Sequence, residues 1–315
     1  ENGVSVYDNM MKIYNNICEL IGNTPLVRLE KLEKRYKIPN ILIAKLEKFN
    51  PGGSSKDRIA YEIILDGLKK GKINSKTTLI EATSGNTGIG LAMVCAYFNL
   101  KLIIIMSESV TIERIKLLQL YGATVILTKK EDGIEGAINK AHELVKTIPN
   151  NYFINQFHNN MNPLAHYQTT SKELIQDLEG KIDIVVAGMG SGGTITGIAK
   201  GLKEFDDNIK IIGVEPSGCP YYSKQLIGKY NIPGIGTTFM PSIVDMSLID
   251  DMMEITDEDA KKYMEILAKE EGILAGYSSG AVLAGTIKYL KTNKISNKII
   301  VMIFHDTGER YLSML

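Results

Sequence analysis

Lys56 stands at the mouth of a helical pattern, directly behind the turn Asn50-Pro51-Gly52-Gly53-Ser54-Ser55. A helix N-terminus carries partial positive charge, so an ammonium there is disfavoured. Such a lysine is either a solvated surface charge or an amine held neutral, and a neutral amine can condense with an aldehyde to a Schiff base. A second signal is Gly188-Met189-Gly190-Ser191-Gly192-Gly193-Thr194, which follows an apolar run and opens another helical pattern. Glycines let a backbone approach a ligand closely, and the amides of a helix start cup an anion, phosphate above all. Gly188, Gly190 and Gly193 also satisfy the dinucleotide pattern G-x-G-x-x-G, with Glu215 about 20 residues further on. A glycine turn with no ligand is the plainer alternative. The third signal, Thr83-Ser84-Gly85-Asn86-Thr87-Gly88, is rich in hydroxyl and amide groups. It suits a small carboxylate, with a helix cap as the competing explanation.

One cofactor satisfies all three signals. Pyridoxal phosphate would take Lys56 on its aldehyde and the Gly190, Ser191, Gly192, Gly193, Thr194 loop on its phosphate. The loop of Thr83, Ser84, Asn86 and Thr87 would be left for the carboxylate of an amino acid. A dinucleotide, and with it a nicotinamide-dependent dehydrogenase, explains only the glycine run. No metal is expected: His158 and His166 lack ligand spacing, and Cys18, Cys95 and Cys219 are scattered and odd in number. His305 reads as a packed or loop histidine.

These residues need a scaffold, and the composition supplies one. The chain has 315 residues, 44% of them hydrophobic and 23% charged, which places it among folded globular proteins and excludes disulfide miniproteins. Its 36 basic and 36 acidic side chains cancel, so no global field gathers nucleic acid or an anionic membrane. The expected partner is a small molecule and the expected compartment a reducing cytoplasm. The first eleven residues lack the pattern of a secretory signal, and no apolar run approaches the ~20 residues of a membrane span.

Short β-branched runs alternate with amphipathic stretches, the pattern of an α/β fold whose mostly parallel sheet is flanked by helices. Strands are expected at 41–46, 78–81, 102–106, 124–127, 182–187, 211–214 and 299–304. Helices are expected at 57–70, 87–98, 111–120, 133–146, 194–205 and 257–271. The Asn-rich stretch 148–168, with Pro149 and Pro163, reads as irregular backbone at a domain boundary. Another irregular stretch, 216–242, is long enough to line a site.

From Ile17-Cys18-Glu19-Leu20-Ile21-Gly22-Asn23-Thr24-Pro25-Leu26 to Gly308-Glu309-Arg310-Tyr311-Leu312, the chain resembles the cysteine synthases (O-acetylserine sulfhydrylases) and cystathionine β-synthases, pyridoxal-phosphate enzymes of fold type II. The resemblance implies two domains with twisted sheets: a larger cofactor-binding one from 12–46 plus 150–315, and a smaller mobile one, 47–149, that holds the substrate carboxylate. It implies Lys56 as the Schiff-base lysine. Thr83, Ser84, Asn86, Thr87 and Gln156 become substrate contacts, with Asn86 also reaching the cofactor ring. Gly190, Ser191, Gly192, Gly193 and Thr194 become the phosphate cup, and Ser278 the partner of the pyridine nitrogen. A homodimer is implied as well.

A serine at the pyridine nitrogen makes the ring a weaker electron sink than a carboxylate would, which favours elimination at Cβ over transamination. The implied reaction is β-replacement, O-acetyl-L-serine plus sulfide giving L-cysteine and acetate, with Lys56 as general base. The chain departs from the family's usual pattern at Gly234-Ile235-Gly236-Thr237-Thr238, at Tyr277 and at Phe304-His305-Asp306-Thr307-Gly308. Related enzymes that consume cysteine, release hydrogen sulfide and form lanthionine, cystathionine or serine therefore compete, with Thr237, Thr238 and Tyr277 as candidate determinants. Neither a haem-binding extension before Ile17 nor a regulatory domain after Leu312 is expected.

Overall fold

The computed structural model describes residues 13–83 and 85–314. Ten strands run in chain order: β1 (Leu26–Arg28), β2 (Ile41–Leu46), β3 (Thr78–Ala82), β4 (Lys101–Ser107), β5 (Thr124–Thr128), β6 (Asn151–Phe153), β7 (Ile184–Gly188), β8 (Lys210–Pro216), β9 (Asp251–Ile255) and β10 (Ile299–Phe304). Eleven helices connect and cover them: α1 (Glu30–Tyr36), α2 (Lys56–Lys69), α3 (Asn86–Phe98), α4 (Ile112–Leu120), α5 (Gly133–Thr147), α6 (Met161–Gln168), α7 (Thr170–Asp177), α8 (Gly193–Phe205), α9 (Tyr221–Lys224), α10 (Asp257–Ile266) and α11 (Tyr277–Thr292).

The strands form two sheets. The larger has the order β1-β2-β10-β7-β8-β9, the smaller β5-β4-β3-β6. All neighbours are parallel except β1 and β2. Burial on both faces explains the unbroken apolar runs of the inner strands: Ile300, Val301, Met302 and Ile303 of β10 are all fully buried. One face of the larger sheet packs on α11 through Val282, Leu283 and Ile287, and the other on α8 through Ile195, Ile198 and Leu202. The smaller sheet is covered by α2 and α3 on one side and by α5 on the other.

The expected strands are present within one or two residues of their ends. The stretch read as irregular is not irregular: β6 pairs with β3 in the smaller sheet, and α6 carries Pro163 within its first turn, where a missing N–H breaks no hydrogen bond. The expected helix over 257–271 is α10 followed by a single wider turn, Leu267–Glu271. Helix α11 escapes the periodicity reading because it is buried on nearly every side, and a helix without a polar face shows no stripe.

A buried ionic cluster fixes α2 to the larger sheet. The Arg58 guanidinium bonds Glu47, just past β2, at 2.8 Å and Glu173, in α7, at 2.5 Å, while Lys45 of β2 bonds Glu173 at 2.8 Å. Burial opposes the charge on Glu47, but Arg58 overcomes it and holds the carboxyl well below the usual carboxylate range. Arg58 lies two residues after Lys56, so this cluster sets where the lysine begins its helix.

Candidate active site

In parallel sheets, ligands gather outside the carboxyl ends of the strands. Five such ends meet here: β2 leads to Lys56, β3 to Thr83 and Asn86, β6 to Gln156, β7 to Gly190 and Ser191, and β10 to His305 and Asp306. They surround a cavity of about 220 Å³ lined by Lys56, Thr83, Asn86, Thr87, Gln156, Gly190, Ser191, Thr237, Thr238, Ser278 and His305, with Tyr230, Phe157 and Phe239 as aromatic walls. Ser84 lies outside the described residues. No aspartate or glutamate is among the described residues that line it.

Lys56 opens α2 on a turn that is tied to the larger sheet by the Ser55 amide, which donates to the His305 carbonyl at 2.9 Å. Burial pushes its amine below the ordinary lysine range, against the opposing charges of Asp306 and Glu47. Its neighbour His305 shares its Nδ1 with the Ser55 hydroxyl at 3.1 Å. Burial, reinforced by the charge of Lys56, pushes that imidazole down to about 3, so it stays neutral. This histidine is packed, as expected, and it also faces the cavity.

The loop before α3 is shaped by its own side chains. The Gly85 amide donates to Thr83 Oγ1 at 3.1 Å, and Thr87 Oγ1 donates to Gln156 Oε1 at 2.7 Å. Glu81 of β3 accepts from the Asn155 amide at 2.7 Å, which steers the chain toward Gln156. Both ends of the Asn86 amide are engaged: Nδ2 donates to Asp306 Oδ2 at 2.8 Å, and Arg310 donates to Oδ1 and to the Gly52 carbonyl. Tyr311 also donates to Asp306 Oδ2, at 2.5 Å.

The glycine run needs its glycines. A Cβ on Gly190 would lie 2.6 Å from the Gly234 carbonyl oxygen, one on Gly193 only 2.0 Å from Asn162 Oδ1, and Gly192 has φ +77°. Gly190 and Ser191 line the cavity, while Gly192, Gly193 and Thr194 carry the chain into α8. The Asn162 amide braces the loop by donating to Ser191 Oγ at 3.2 Å and to the Gln156 carbonyl at 2.9 Å. Thr194 Oγ1 meets His166 Nε2 at 3.1 Å.

Three expectations change. Glu215 is fully buried and accepts from the Tyr222 and Ser223 amides at 2.8 and 3.0 Å, so it is no ribose ligand and the dinucleotide reading loses its acidic residue. Tyr277 does not line the cavity; its ring meets Tyr311 edge-on at 5.6 Å and its hydroxyl donates to the Met314 carbonyl. The Thr237 hydroxyl donates to the Phe239 carbonyl at 2.8 Å, which shapes the cavity wall rather than offering a donor to it.

Asp306, Arg310 and Tyr230 are the site residues that sequence reasoning passed over. The only signal for them was the unusual Phe304-His305-Asp306 and the long loop that holds Tyr230.

These residues fit pyridoxal phosphate. A lysine with a lowered proton affinity faces a cavity without acidic walls, and a glycine cradle that any Cβ would obstruct stands at the start of a helix whose first amides have no intrahelical acceptor. No cluster of metal-ligating side chains occurs among the described residues.

Comparison with known proteins agrees. Residues 17–306 match the family model described as pyridoxal-phosphate dependent enzyme. The chain is 43% identical over 303 residues to cysteine synthase B of Campylobacter jejuni, covering 96% of this chain and 98% of that one. Among solved structures, a hydrogen sulfide-producing enzyme from Fusobacterium nucleatum superposes with a TM-score of 0.92 at 44% identity, covering 95% of this chain and 100% of the other. An O-acetylserine dependent cystathionine beta-synthase from Helicobacter pylori superposes with a TM-score of 0.89 at 41% identity, covering 96% and 98%. With the match spanning both sheets and every loop of the cavity, the chain belongs to the family of pyridoxal-phosphate dependent enzymes.

Proposed function

We propose that the protein catalyses cysteine synthase-like β-replacement: O-acetyl-L-serine and sulfide give L-cysteine and acetate. The observation that carries this reading is the meeting, around one cavity, of a half-buried lysine with a lowered proton affinity, a glycine cradle and a hydroxyl-rich helix start. Pyridoxal phosphate, when bound, supplies the electron sink that lets the Cα–H and Cβ–O bonds of the amino acid break.

The chain's own residues do the rest. Lys56 would hold the cofactor through Nζ, and the same Nζ, once free, would take the Cα proton, a role for which a lowered proton affinity is suited. Thr83, Ser84, Asn86, Thr87 and Gln156 grip the substrate carboxylate, with Asn86 spared one amide hydrogen for the cofactor ring after the other is given to Asp306. Gly190, Ser191, Gly192, Gly193 and Thr194 would hold the cofactor phosphate, and Ser278, in the cavity wall, would partner the ring nitrogen. Acetate departs with the Cβ–O electron pair, the sulfur of sulfide bonds to Cβ, and Lys56 Nζ returns a proton to Cα. In this reading 12–46 and 150–315 hold the cofactor, and 47–149, whose sheet β6 completes, carries the substrate carboxylate and closes on it.

A second reading has support from the Fusobacterium neighbour: consumption of L-cysteine with release of hydrogen sulfide and formation of lanthionine, cystathionine or serine. Thr238 at the cavity wall, with Thr237 shaping it, is the position where the two activities would diverge. The resemblance to the family supports a homodimer as part of this reading. Three buried cysteines without a disulfide suit a cytoplasmic setting, and no described helix is long and apolar enough to cross a membrane.

One assay decides between the readings. Acetate, sulfide and amino-acid products are recorded for O-acetyl-L-serine plus sulfide and for L-cysteine alone. Acetate release coupled to cysteine formation is expected in the first reaction; sulfide release only from cysteine would favour the second reading, and neither product would overturn both.

A further inference from the structure

His166 does not line the cavity. It sits in α6, which packs against both α2, the helix that Lys56 opens, and α8, the helix that the glycine run opens. The residue is fully buried and both ring nitrogens are engaged: Nδ1 meets Thr170 Oγ1 at 2.8 Å, and Nε2 meets Thr194 Oγ1 at 3.1 Å. Burial, reinforced by the charge of Arg58, pushes the ring's proton affinity well below the ordinary histidine range, so the imidazole is neutral and carries one N–H. Thr170 opens α7 and follows Thr169, whose hydroxyl accepts from Arg58 at 3.0 Å. The imidazole therefore bridges the ionic cluster behind Lys56 and the hydroxyl at the end of the glycine run.

A neutral imidazole between two hydroxyls has two self-consistent arrangements. In one, Thr194 donates to Nε2 and Nδ1–H donates to Thr170. Thr194 then has only lone pairs to offer an anion, which itself presents lone pairs. In the other, the Thr170 hydroxyl donates to Nδ1, Nε2–H donates to Thr194 Oγ1, and the Thr194 hydrogen is left for the anion. A phosphate in the glycine cup selects the second. Resting on the placement of the cofactor phosphate in that cup, as in the β-replacement reading, we propose that His166 is a positioning residue: Thr170 holds it as the Nε2–H tautomer, and it turns the Thr194 hydroxyl into a hydrogen-bond donor to the phosphate. A hydrogen bond to a charged acceptor is about twice as strong as a neutral one, so the direction of this single hydroxyl is felt in affinity for the phosphate and not for the rest of the cofactor.

The test compares pyridoxal phosphate with pyridoxal, which lacks only the phosphate, by absorbance titration of the full chain stripped of cofactor. The parent is expected to prefer pyridoxal phosphate by about a hundredfold or more. His166→Leu is expected to lower that preference about tenfold while pyridoxal affinity stays within about threefold of the parent, and His166→Gln, whose amide keeps an N–H donor, to restore most of it. Thr194→Val should lose as much preference as His166→Leu, and the double variant little more, because the histidine acts through that hydroxyl. Long-range proton–nitrogen correlation spectra of the loaded parent, labelled in histidine nitrogen, read the tautomer without any loss of structure, with the ring identified by the resonances missing from His166→Gln. A protonated Nε2 and a bare Nδ1 are expected. The opposite tautomer, an unchanged preference in His166→Leu, or an equal loss for both ligands overturns the role of His166 and leaves the phosphate cup standing. A parent that binds the two ligands alike overturns the cup and the proposal together. Absence of acetate release from O-acetyl-L-serine and sulfide by the loaded parent overturns β-replacement alone, since the affinity ratios are read without turnover.

Discussion

Asp306 holds Asn86: the Asn86 Nδ2 donates to Asp306 Oδ2 at 2.8 Å, across 220 positions of sequence. With Arg310 on Oδ1, the amide has one orientation, and one of its two nitrogen-bound hydrogens remains directed elsewhere. Asp306→Ala should free the amide and lower kcat/KM for O-acetyl-L-serine about tenfold, whereas Asp306→Asn keeps an acceptor oxygen and should stay within about threefold of the parent. Steady-state kinetics of both variants, with the cofactor spectrum alongside, check this. Equal losses in the two would mean that charge, not the hydrogen bond, is what matters.

Lys56→Ala should abolish the visible absorbance of the cofactor-loaded protein and cut turnover by about a thousandfold or more, because both the covalent hold and the proton acceptor at Cα disappear. Absorbance spectra before and after reconstitution, together with acetate release, provide the measurement. Undiminished turnover would remove Lys56 from the chemistry.

Gly192→Ala should weaken both fold and cofactor binding. The position has φ +77°, and a Cβ would lie 2.2 Å from Val244 Cγ2. The expected cost is about 1–3 kcal/mol of stability. Urea unfolding of the cofactor-free variant separates this cost from a loss of pyridoxal phosphate affinity, which fluorescence titration reads. A variant as stable as the parent would mean that the glycine is not needed for the turn.

Glu81 makes one contribution of definite sign to the pH dependence of stability. Burial raises its carboxyl from 4.5 to about 8, against the opposing hydrogen bonds from the Asn155 and Gln156 amides. The folded chain thus binds this proton more tightly than the unfolded chain. Its contribution is complete below about pH 4.5 and is lost as pH rises toward about 8. Glu81→Gln carries no such proton, so the gap between its urea midpoint and that of the parent should move in favour of the variant between pH 5 and pH 8. A gap that does not change with pH would show that Glu81 is ionised throughout.

Much of this molecule is legible from residue types alone. Inner strands such as β10 are read directly, because a strand buried on both faces has nothing but apolar residues. Lys56, Asn86 and the glycine run announce themselves because each stands at a helix start that follows a strand, whereas Gln156 is reached only through the family resemblance. What stays hidden has a common cause. Helix α11 has no polar face to make a period, and the three-residue β6 is too short to show a pattern. Asp306 and Arg310 are ordinary charged residues until folding sets them against Asn86 and Gly52, and no local spacing encodes that meeting. Tyr277 misleads for the opposite reason: it adjoins Ser278 in sequence, but helix geometry turns its ring toward Tyr311.

Strand β10 lies in the middle of the larger sheet, between β2 and β7, although it is the last strand of the chain. During synthesis, β2 emerges from the ribosome some 250 residues before the partner it must bond, and the smaller sheet has its full complement of strands while the larger one still has a gap at its centre. Until that gap closes, the long edges of β2 and β7 are open templates for pairing with other chains. The step that closes it also delivers His305, Asp306 and Arg310, so acquisition of a sealed sheet and of a complete catalytic pocket should be a single late event in folding.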